Sequence, residues 1–360
     1  MKKVVAIISI ICLLISSAVA ATAEAGITPY SDECFRDATN VVRLPNGVEI
    51  TMTLTSQPQP PQKVWAKKIR VHTGTNMDTE PLDRFFAGRN ANVTSFTHYA
   101  SSPENGYGIR ENTAESTAAY HSMSFSAGLL DYQKNDACWV LLSHESDSLA
   151  QTPTGVSFSD DICALWEYLD IEVSPEARKL LFDEDDAPDL YLYQQTHFGP
   201  MPYVEIENTL PARVVFSSVM IDGIPMIRLN GSLQIGNTSW SGGECCLVFH
   251  GEQLCHMRVF PVCSMIENEG CAQTCMSFER ALEKYQALYG MRMPMPSERL
   301  TLLDARVAYV SRRTDDENEA LYHLVPVWSF ITEIANGQET LYHQLLIDVQ
   351  EGRYVLEDYL

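Results

Sequence analysis

Residues 276–360 constrain the fold of this chain most, because they follow the pattern of one helix and then long strands. Ser277 suits an N-cap position, and apolar residues at helical spacing after it predict a helix over 278–288. Residues 302–310 and 321–334 are rich in Val, Tyr, Trp and Leu, which favour strands. The C-terminal part is therefore predicted to be a helix packed on an antiparallel sheet.

Trp328 is the largest side chain in the second of these strands. Strand alternation places five residues on one face: Tyr322, Leu324, Pro326, Trp328 and Phe330. We expect Trp328 to be buried between this face and the helix. The alternative is that Trp328 and Tyr322 form a platform on which a ligand stacks.

The length and charge of the chain limit how many domains it has and which partners it can bind. A chain of 360 residues is longer than one core usually spans, which favours two or three domains. Its formal charge of −22 argues against nucleic acid as a partner. The same charge argues against binding to an anionic membrane surface. An acidic, soluble protein is expected.

Residues 1–25 have the pattern of a bacterial signal peptide. Lys2-Lys3 is a basic start, residues 4–15 are largely apolar, and the small residues 16–20 predict cleavage after Ala20. Ala23 and Ala25 are alternative cleavage positions, and an uncleaved anchor is the alternative to removal. The apolar run is short for a membrane span, which needs about 20 residues. We therefore expect a secreted or envelope-associated protein with no membrane span after cleavage.

The chain contains 10 cysteines, and most of them lie in one window. The disulfide candidates in this window are Cys245, Cys246, Cys255, Cys263, Cys271 and Cys275. Export favours disulfides, because they persist in oxidising compartments. Free core thiols are an alternative, and so is a metal site built from Cys245, Cys246, His250, Cys255 and His256.

A hairpin turn at His250-Gly251 would pair two of these cysteines. Counting outward from that turn, Cys246 faces Cys255 with Cα atoms about 4.5 Å apart, within disulfide range. Cys245 would point to the opposite face and need another partner, such as Cys263, Cys271 or Cys275. A longer turn through Glu252 would shift the register and separate the two sulfur atoms.

The rest of the chain predicts a β-rich N-terminal domain (26–152), a middle α+β module (153–270) and a C-terminal module (271–360). The middle module is expected to begin with a helix over 159–168 and a second helix near Ser174-Pro175-Glu176-Ala177, where proline suits the first helical position. Asp222-Gly223 predicts a turn. Further strands are predicted at 41–55, 64–71, 122–130, 138–143, 190–196, 212–221, 226–229, 245–249 and 254–260. The acidic segment 182–189 favours a solvated loop, with calcium binding as the alternative.

Two short patterns carry a resemblance to a known family. The first pattern is the helix near residue 278 followed by the 302–310 strand and the strand that contains Leu324-Val325-Pro326-Val327-Trp328. The second pattern is the segment from Val215-Phe216 to Ile221-Asp222-Gly223-Ile224-Pro225. Over roughly Asp160–Leu360 the chain resembles exported Gram-positive regulatory proteins of the YycH/YycI type and PepSY-like domains. The resemblance implies an α+β fold and a non-enzymatic role outside the membrane, sensing or inhibiting a partner. The two later thirds of the chain each offer a helix followed by long strands, which suggests two related modules. YycH and YycI differ in their N-terminal membrane helix and few cysteines, so their kinase partner is not carried over, and no functional residue is carried over either.

The sequence contains no Gly-x-Ser-x-Gly, His-Glu-x-x-His, P-loop or Gly-x-Gly-x-x-Gly motif. We therefore assign no catalytic, cofactor-binding or metal-binding residue. The predicted function is that of an exported, non-catalytic binding or regulatory protein, whose partner is an unknown protein or small molecule at the cell envelope. The alternatives are a secreted hydrolase with scattered catalytic residues and an envelope-associated structural or adhesion protein.

Overall fold

Strands dominate the fold in a computed structural model of the chain. The model describes residues 40–54, 57–72, 84–87, 95–98, 107–112, 120–126, 128–133, 153–182, 212–229, 232–235, 238–291, 298–314, 321–337 and 340–359. These residues belong to one compact unit that spans Ala38–Leu360. Within these described residues, twenty strands, numbered along the chain, form two sheets that we call sheet A and sheet B.

Sheet A contains the longest strands. Its members are β1 (Asn40–Arg43), β2 (Glu49–Met52), β3 (Lys63–Val71), β12 (Ser232–Ile235), β13 (Thr238–Ser241), β16 (Cys263–Thr274), β17 (Arg299–Thr314), β18 (Leu321–Ala335), β19 (Thr340–Asp348) and β20 (Tyr354–Tyr359). Their order is β1-β2-β17-β18-β19-β20, with β13 also on β17 and β3 also on β18. The β2–β17 pair is parallel, and the other pairs are antiparallel.

Sheet B is antiparallel throughout the described pairs. Its members are β4 (Ser95–His98), β5 (Tyr107–Asn112), β6 (Tyr120–Ser126), β7 (Leu129–Gln133), β8 (Thr154–Gly155), β9 (Glu172–Phe182), β10 (Ala212–Ile221), β11 (Ile224–Pro225), β14 (Glu244–His250) and β15 (Gln253–Phe260). They follow the order β4-β5-β6-β7-β15-β14-β10-β9-β8, and β11 forms a hairpin with β10.

Three helices accompany the sheets in the described part of the chain: α1 (84–87), α2 (Asp160–Tyr168) and α3 (Phe278–Gly290). Both longer helices were predicted, and both predictions are confirmed. Ser277 caps α3, because its side chain accepts a hydrogen bond from the Arg280 N–H. None of the helices in these residues is long and apolar enough to cross a membrane.

The predicted burial of Trp328 is confirmed. Trp328 is fully buried, and its ring centroid lies 5.9 Å from that of Phe278 on α3 and 6.1 Å from that of Phe330. Tyr285 of α3 stacks on Phe330 at 4.8 Å. One face of β18 and one face of α3 therefore form an aromatic layer, as the spacing of residues in both elements predicts.

The predicted α+β fold class is wrong, because the described residues are mostly strand and the helices are few. Local pattern does not reveal how many strands join one sheet, since long-range pairing decides this. Sheet A takes strands from all three predicted segments, for example β3, β13 and β18. The predicted boundaries near residues 152 and 270 consequently do not coincide with a division between the sheets.

The second predicted helix of the middle module is also wrong, because residues 172–182 form strand β9. This strand pairs with β10 on one side and β8 on the other, and Ala177 is buried in the core of sheet B. Proline and alanine locally favour a helix start, but pairing on both edges outweighs that small preference.

Several shorter predictions have a clear outcome. Residues 64–71, 212–221, 245–249 and 254–260 are strands, as predicted. The Asp222-Gly223 turn is confirmed, with φ of 50° and 72°. Residues 226–229 form only an isolated bridge from Met226 to Tyr309. The predicted signal peptide, the 138–143 and 190–196 strands and nearly all of the acidic segment lie outside the described residues.

Candidate functional site

A cleft of about 1010 Å³ lies between the two sheets. The end of β2, the first half of β3 and the middle of β17 border it from sheet A, and β9 and the β10–β11 hairpin border it from sheet B. Binding sites for small ligands are typically concave and of this size, about 300–1,000 Å³. The cleft is therefore the candidate binding site.

The cleft lies beside an interruption in the pairing of β17. On the edge away from β18, β17 pairs with β2 at Leu300–Leu302 and with β13 at Ser311–Thr314. Between these ladders, Met226 forms a single bridge to Tyr309. No described strand forms a hydrogen-bonded ladder with residues 303–308 on this side, although β11 lies alongside β17 next to the Met226 bridge. We call residues 303–308 the open edge.

Two arginines share one carboxylate at the open edge. Arg178 Nη2 lies 3.2 Å from Asp304 Oδ2, and Arg306 Nη2 lies 2.7 Å from the same oxygen. Burial lowers the pKa of Arg178, Asp304 opposes this shift and the neighbouring Arg306 adds to it. Arg306 is the more accessible cation, with 35% of its side chain exposed against 13% for Arg178.

A buried lysine connects the sheets at the other side of the cleft. Lys67 on β3 is 2% exposed, and its ammonium forms an ion pair with Asp222 in the β10–β11 turn. Asn268 Oδ1 on β16 accepts a second hydrogen bond from Lys67 Nζ at 3.0 Å. The lysine therefore fixes the hairpin of sheet B against two strands of sheet A.

Aromatic and proline side chains form the apolar wall of the cleft. Tyr309 is buried, and its hydroxyl donates to the Trp65 carbonyl oxygen at 2.9 Å. Burial raises the pKa of Tyr309, with smaller contributions from Asp222 and Cys275, so the phenol stays protonated. Trp65 is 38% exposed and lies beside a proline-rich segment, residues 58–61, that also lines the cleft.

Trp328 also lines the cleft, and its indole N–H is buried without a hydrogen-bond partner among the described residues. Buried donors in folded proteins are usually satisfied by protein or by water. A water molecule or a ligand carbonyl in the cleft would supply the acceptor.

The lining of the cleft is more positive than the chain as a whole. Four of its residues are basic (Lys63, Lys67, Arg178, Arg306) and three are acidic (Glu176, Asp222, Asp304). This small excess of positive charge occurs in a chain with a net charge of −22. An anionic group is therefore better accommodated here than on an average part of the surface.

The cysteine window does not form the predicted pairing. Gly251-Glu252, not His250-Gly251, is the loop of the β14–β15 hairpin, since His250 pairs with Gln253. A bulge next to Val248 shifts the register further, so Cys246 faces Arg258 rather than Cys255. The predicted facing pair is thus wrong, because a positive φ at Gly251 (59°) starts the turn one residue later.

Among the described residues, neither the six candidate cysteines nor Cys163 is joined to another cysteine by a disulfide. Cys245 lies in the core cluster of sheet B with Leu247, whereas Cys246 packs with Val214 on the opposite face, as strand alternation predicts. Burial raises the pKa of Cys245, that of Cys263 to about 12 and that of Cys275 to about 11. These thiols are therefore poor nucleophiles at neutral pH.

We predict that thiol alkylation will divide the cysteines by burial. At pH 8 iodoacetamide should label the exposed Cys271 within minutes. The exposed Cys163 should react more slowly, because partial burial and the charges of Asp160 and Asp161 raise its pKa, and Cys245 and Cys263 should react only after unfolding, because burial raises their pKa and blocks access. Peptide mass mapping with and without denaturant measures this. Rapid native labelling of Cys245 would contradict the placement of β14.

A second buried polar network is centred on His343 of β19, which the sequence predicts to be a core or surface residue of a strand rather than a ligand. Tyr289 on α3 hydrogen-bonds to His343 Nδ1 at 2.5 Å, and His343 Nε2 lies 2.6 Å from Glu357 Oε1. His343 is 3% exposed. These contacts attach the end of α3 to β19 and β20. Within the described residues, no group of three or more His, Cys, Asp or Glu side chains is placed to hold a metal ion.

Sequence reasoning missed the residues of the cleft. Arg178 lies on β9, and Asp304 and Arg306 lie on β17, more than one hundred residues away. Lys67 lies on β3, and Asp222 lies in the distant β10–β11 turn. Asp222 was recognised for its turn alone. No spacing motif connects these residues, so the sequence contains no local signal for the site.

Comparison with known proteins identifies a chain of similar fold but indicates no activity. No protein-family model and no curated protein matches the chain. The chain is similar to the crystal structure of an uncharacterized protein from Eubacterium rectale ATCC 33656, with a TM-score of 0.63 and 12% identity over 89% of this chain and 94% of the other. The likeness shows the fold alone.

Proposed function

We propose that this chain is an exported, non-catalytic binding or regulatory protein, and that the cleft between the sheets is where it binds its ligand. The cleft itself is the observation that supports this proposal most, because it combines a volume of about 1010 Å³ with an exposed tryptophan and an accessible arginine. Location outside the cytoplasmic membrane rests on the predicted signal peptide. The regulatory part rests on the resemblance to YycH/YycI and PepSY-like proteins.

The ionisable groups of the cleft favour binding over catalysis. A general acid or base works best with a pKa near the working pH. Tyr309 has a raised pKa, which moves it further from neutrality. Arg178, Arg306 and Lys67 are each ion-paired with a carboxylate. Groups held in this way orient and neutralise a ligand rather than exchange protons with it.

We predict that Trp65→Ala will weaken binding of the fluorescent probe 1-anilinonaphthalene-8-sulfonate, which carries an aromatic ring system and one negative charge. Wild-type protein should bind the probe saturably under native conditions, with energy transfer from tryptophan. Loss of one aromatic contact should raise the Kd roughly 3–10-fold. Titration of probe fluorescence measures this effect.

The matched control is Tyr168→Ala, since Tyr168 has a similar exposure (37% against 38%) and does not line the cleft. It should leave the Kd unchanged. Equal effects of the two substitutions, or a fluorescence signal that never saturates, would contradict the cleft as the ligand site.

A further inference from the structure

A second, smaller cavity lies between the two sheets and adjoins the cleft. Its volume is about 70 Å³, several times the roughly 10–15 Å³ that one buried water requires. We call it the inner cavity. It shares four lining residues with the cleft, namely Pro153, Glu176, Arg178 and Arg306. A ligand in the cleft can therefore extend a small polar group past the two arginines into the inner cavity.

One wall of the inner cavity is a row of polar side chains on sheet A. Arg306 of β17 pairs with Ser329 of β18. Gln344 of β19 pairs with Ile331, two residues along β18 from Ser329. Paired residues, and residues two apart on one strand, project from the same face of a sheet. Arg306, Ser329 and Gln344 therefore lie together on the face that lines the inner cavity.

Gln344 is the residue of this row that lacks a partner for one of its polar atoms. The residue is 2% exposed, and its Nε2 donates to Ser329 Oγ at 3.0 Å. Its Oε1 is buried and has no hydrogen-bond partner among the described residues. Because buried polar atoms are normally paired with protein or water, a ligand atom or a water molecule in the inner cavity would complete the hydrogen bonding of this amide.

The charges around the inner cavity favour an anion over a cation. Its ionisable lining residues are three arginines and two glutamates: Arg178, Arg228, Arg306, Glu176 and Glu244. The lining thus carries one more positive than negative charge. Glu244 is also paired with Arg258 from outside this lining, whose Nε lies 3.1 Å from Glu244 Oε1. Glu176 is exposed, so solvent screens its charge.

The hydroxyl of Ser329 allows the Gln344 amide to serve an anion. A serine hydroxyl can either donate or accept a hydrogen bond. If the amide turns over, Ser329 donates to Oε1 and Nε2 becomes available to the inner cavity. We propose that the inner cavity is the subsite for an oxyanion group of the ligand, a carboxylate or a phosphate, held by Arg306 and the Gln344 amide. This inference rests on the proposed function.

The first test compares two fluorescent probes with the same ring system. 1-Anilinonaphthalene-8-sulfonate carries an oxyanion, and N-phenyl-1-naphthylamine lacks it. Arg306→Gln should raise the Kd of the sulfonate about tenfold and change that of the neutral probe less than about twofold. Arg299→Gln is the control, since Arg299 is exposed on the same strand and lines neither cavity. Equal effects of Arg306→Gln on both probes would overturn the subsite.

The second test places a carboxylate where the oxyanion is proposed to bind. Gln344→Glu keeps the size of the side chain, and the new carboxylate should pair with Arg306 and exclude the sulfonate, weakening its binding about tenfold or more. The neutral probe should bind as before. Gln59→Glu is the matched control, because Gln59 is exposed, lines the cleft and does not line the inner cavity. The same loss in both variants would show a general charge effect and contradict the proposal.

The third test uses unaltered protein and identifies the oxyanion. Inorganic phosphate and acetate are titrated separately, at constant ionic strength, against the bound sulfonate probe. Competition by phosphate assigns a phosphate group to the ligand, and competition by acetate assigns a carboxylate. If neither anion competes while the neutral probe still binds, the oxyanion subsite is overturned alone. If neither probe binds saturably, the cleft itself is overturned as the ligand site.

Discussion

Replacing Trp328 with alanine is expected to lower the free energy of unfolding by about 3–5 kcal/mol, as large aromatic truncations in cores do. Trp328 is fully buried at the centre of sheet A, with Phe278 and Phe330 against its ring. Its removal leaves a cavity between β18 and α3 that neither rigid element can fill. Urea unfolding followed by circular dichroism measures the change.

Trp65→Ala is the matched control for this prediction. The residue type is the same, but Trp65 is 38% exposed at the rim of the cleft. Its truncation should cost less than about 1 kcal/mol. Similar losses for the two tryptophans would mean that Trp328 does not lie in the core, and its alternative role in ligand stacking would regain weight.

Substitution of Asp222 by asparagine should destabilise the protein by about 2 kcal/mol, which is less than the loss of a fully buried ion pair costs because Lys67 is buried but the Asp222 side chain is 61% exposed. Lys67 has a side-chain exposure of 3%, so its ammonium would lose its acidic partner among the described residues while remaining buried. Asparagine tolerates the positive φ of this turn position, which keeps backbone strain out of the result. Chemical denaturation at pH 7 measures the effect.

Two further variants test whether the loss of stability in Asp222→Asn comes from leaving the buried Lys67 charge without its partner. Lys67→Met together with Asp222→Asn removes both charges and should recover stability to within about 1 kcal/mol of wild type. Glu49→Gln breaks the exposed pair with Arg43, whose side chains are 76% and 49% exposed, and should cost less than about 1 kcal/mol. A double variant as unstable as Asp222→Asn alone would contradict the proposed cost of an uncompensated lysine.

Local sequence predicted those elements whose contacts are close along the chain. The α3 helix follows from Ser277 and apolar residues at helical spacing, and its cap is present. The Asp222-Gly223 turn follows from two residues that favour positive φ. The burial of Trp328 follows from alternation along β18 and the apolar stripe of α3.

Predictions that depended on register or on distant pairing were less accurate. Residues 172–182 resemble a helix start, yet pairing with β8 and β10 makes them a strand. Cys246 and Cys255 were placed opposite each other, and a one-residue shift of the turn plus a bulge separated them. A shift of one residue reverses the face of every side chain in a strand, and local composition does not specify it.

By itself, the sequence determined the acidic character of the chain, its two longest strands (β17 and β18), two helices and the aromatic layer between α3 and β18. The existence and the lining of the cleft depend on tertiary structure alone. Its charged residues are brought together when β9 and the β10–β11 hairpin of sheet B meet β3 and β17 of sheet A. The open edge likewise exists because β2 and β13 pair with the two ends of β17, and no described strand forms a ladder with residues 303–308 between them. Both features depend on contacts between strands far apart in sequence, and no local pattern of residues encodes such contacts.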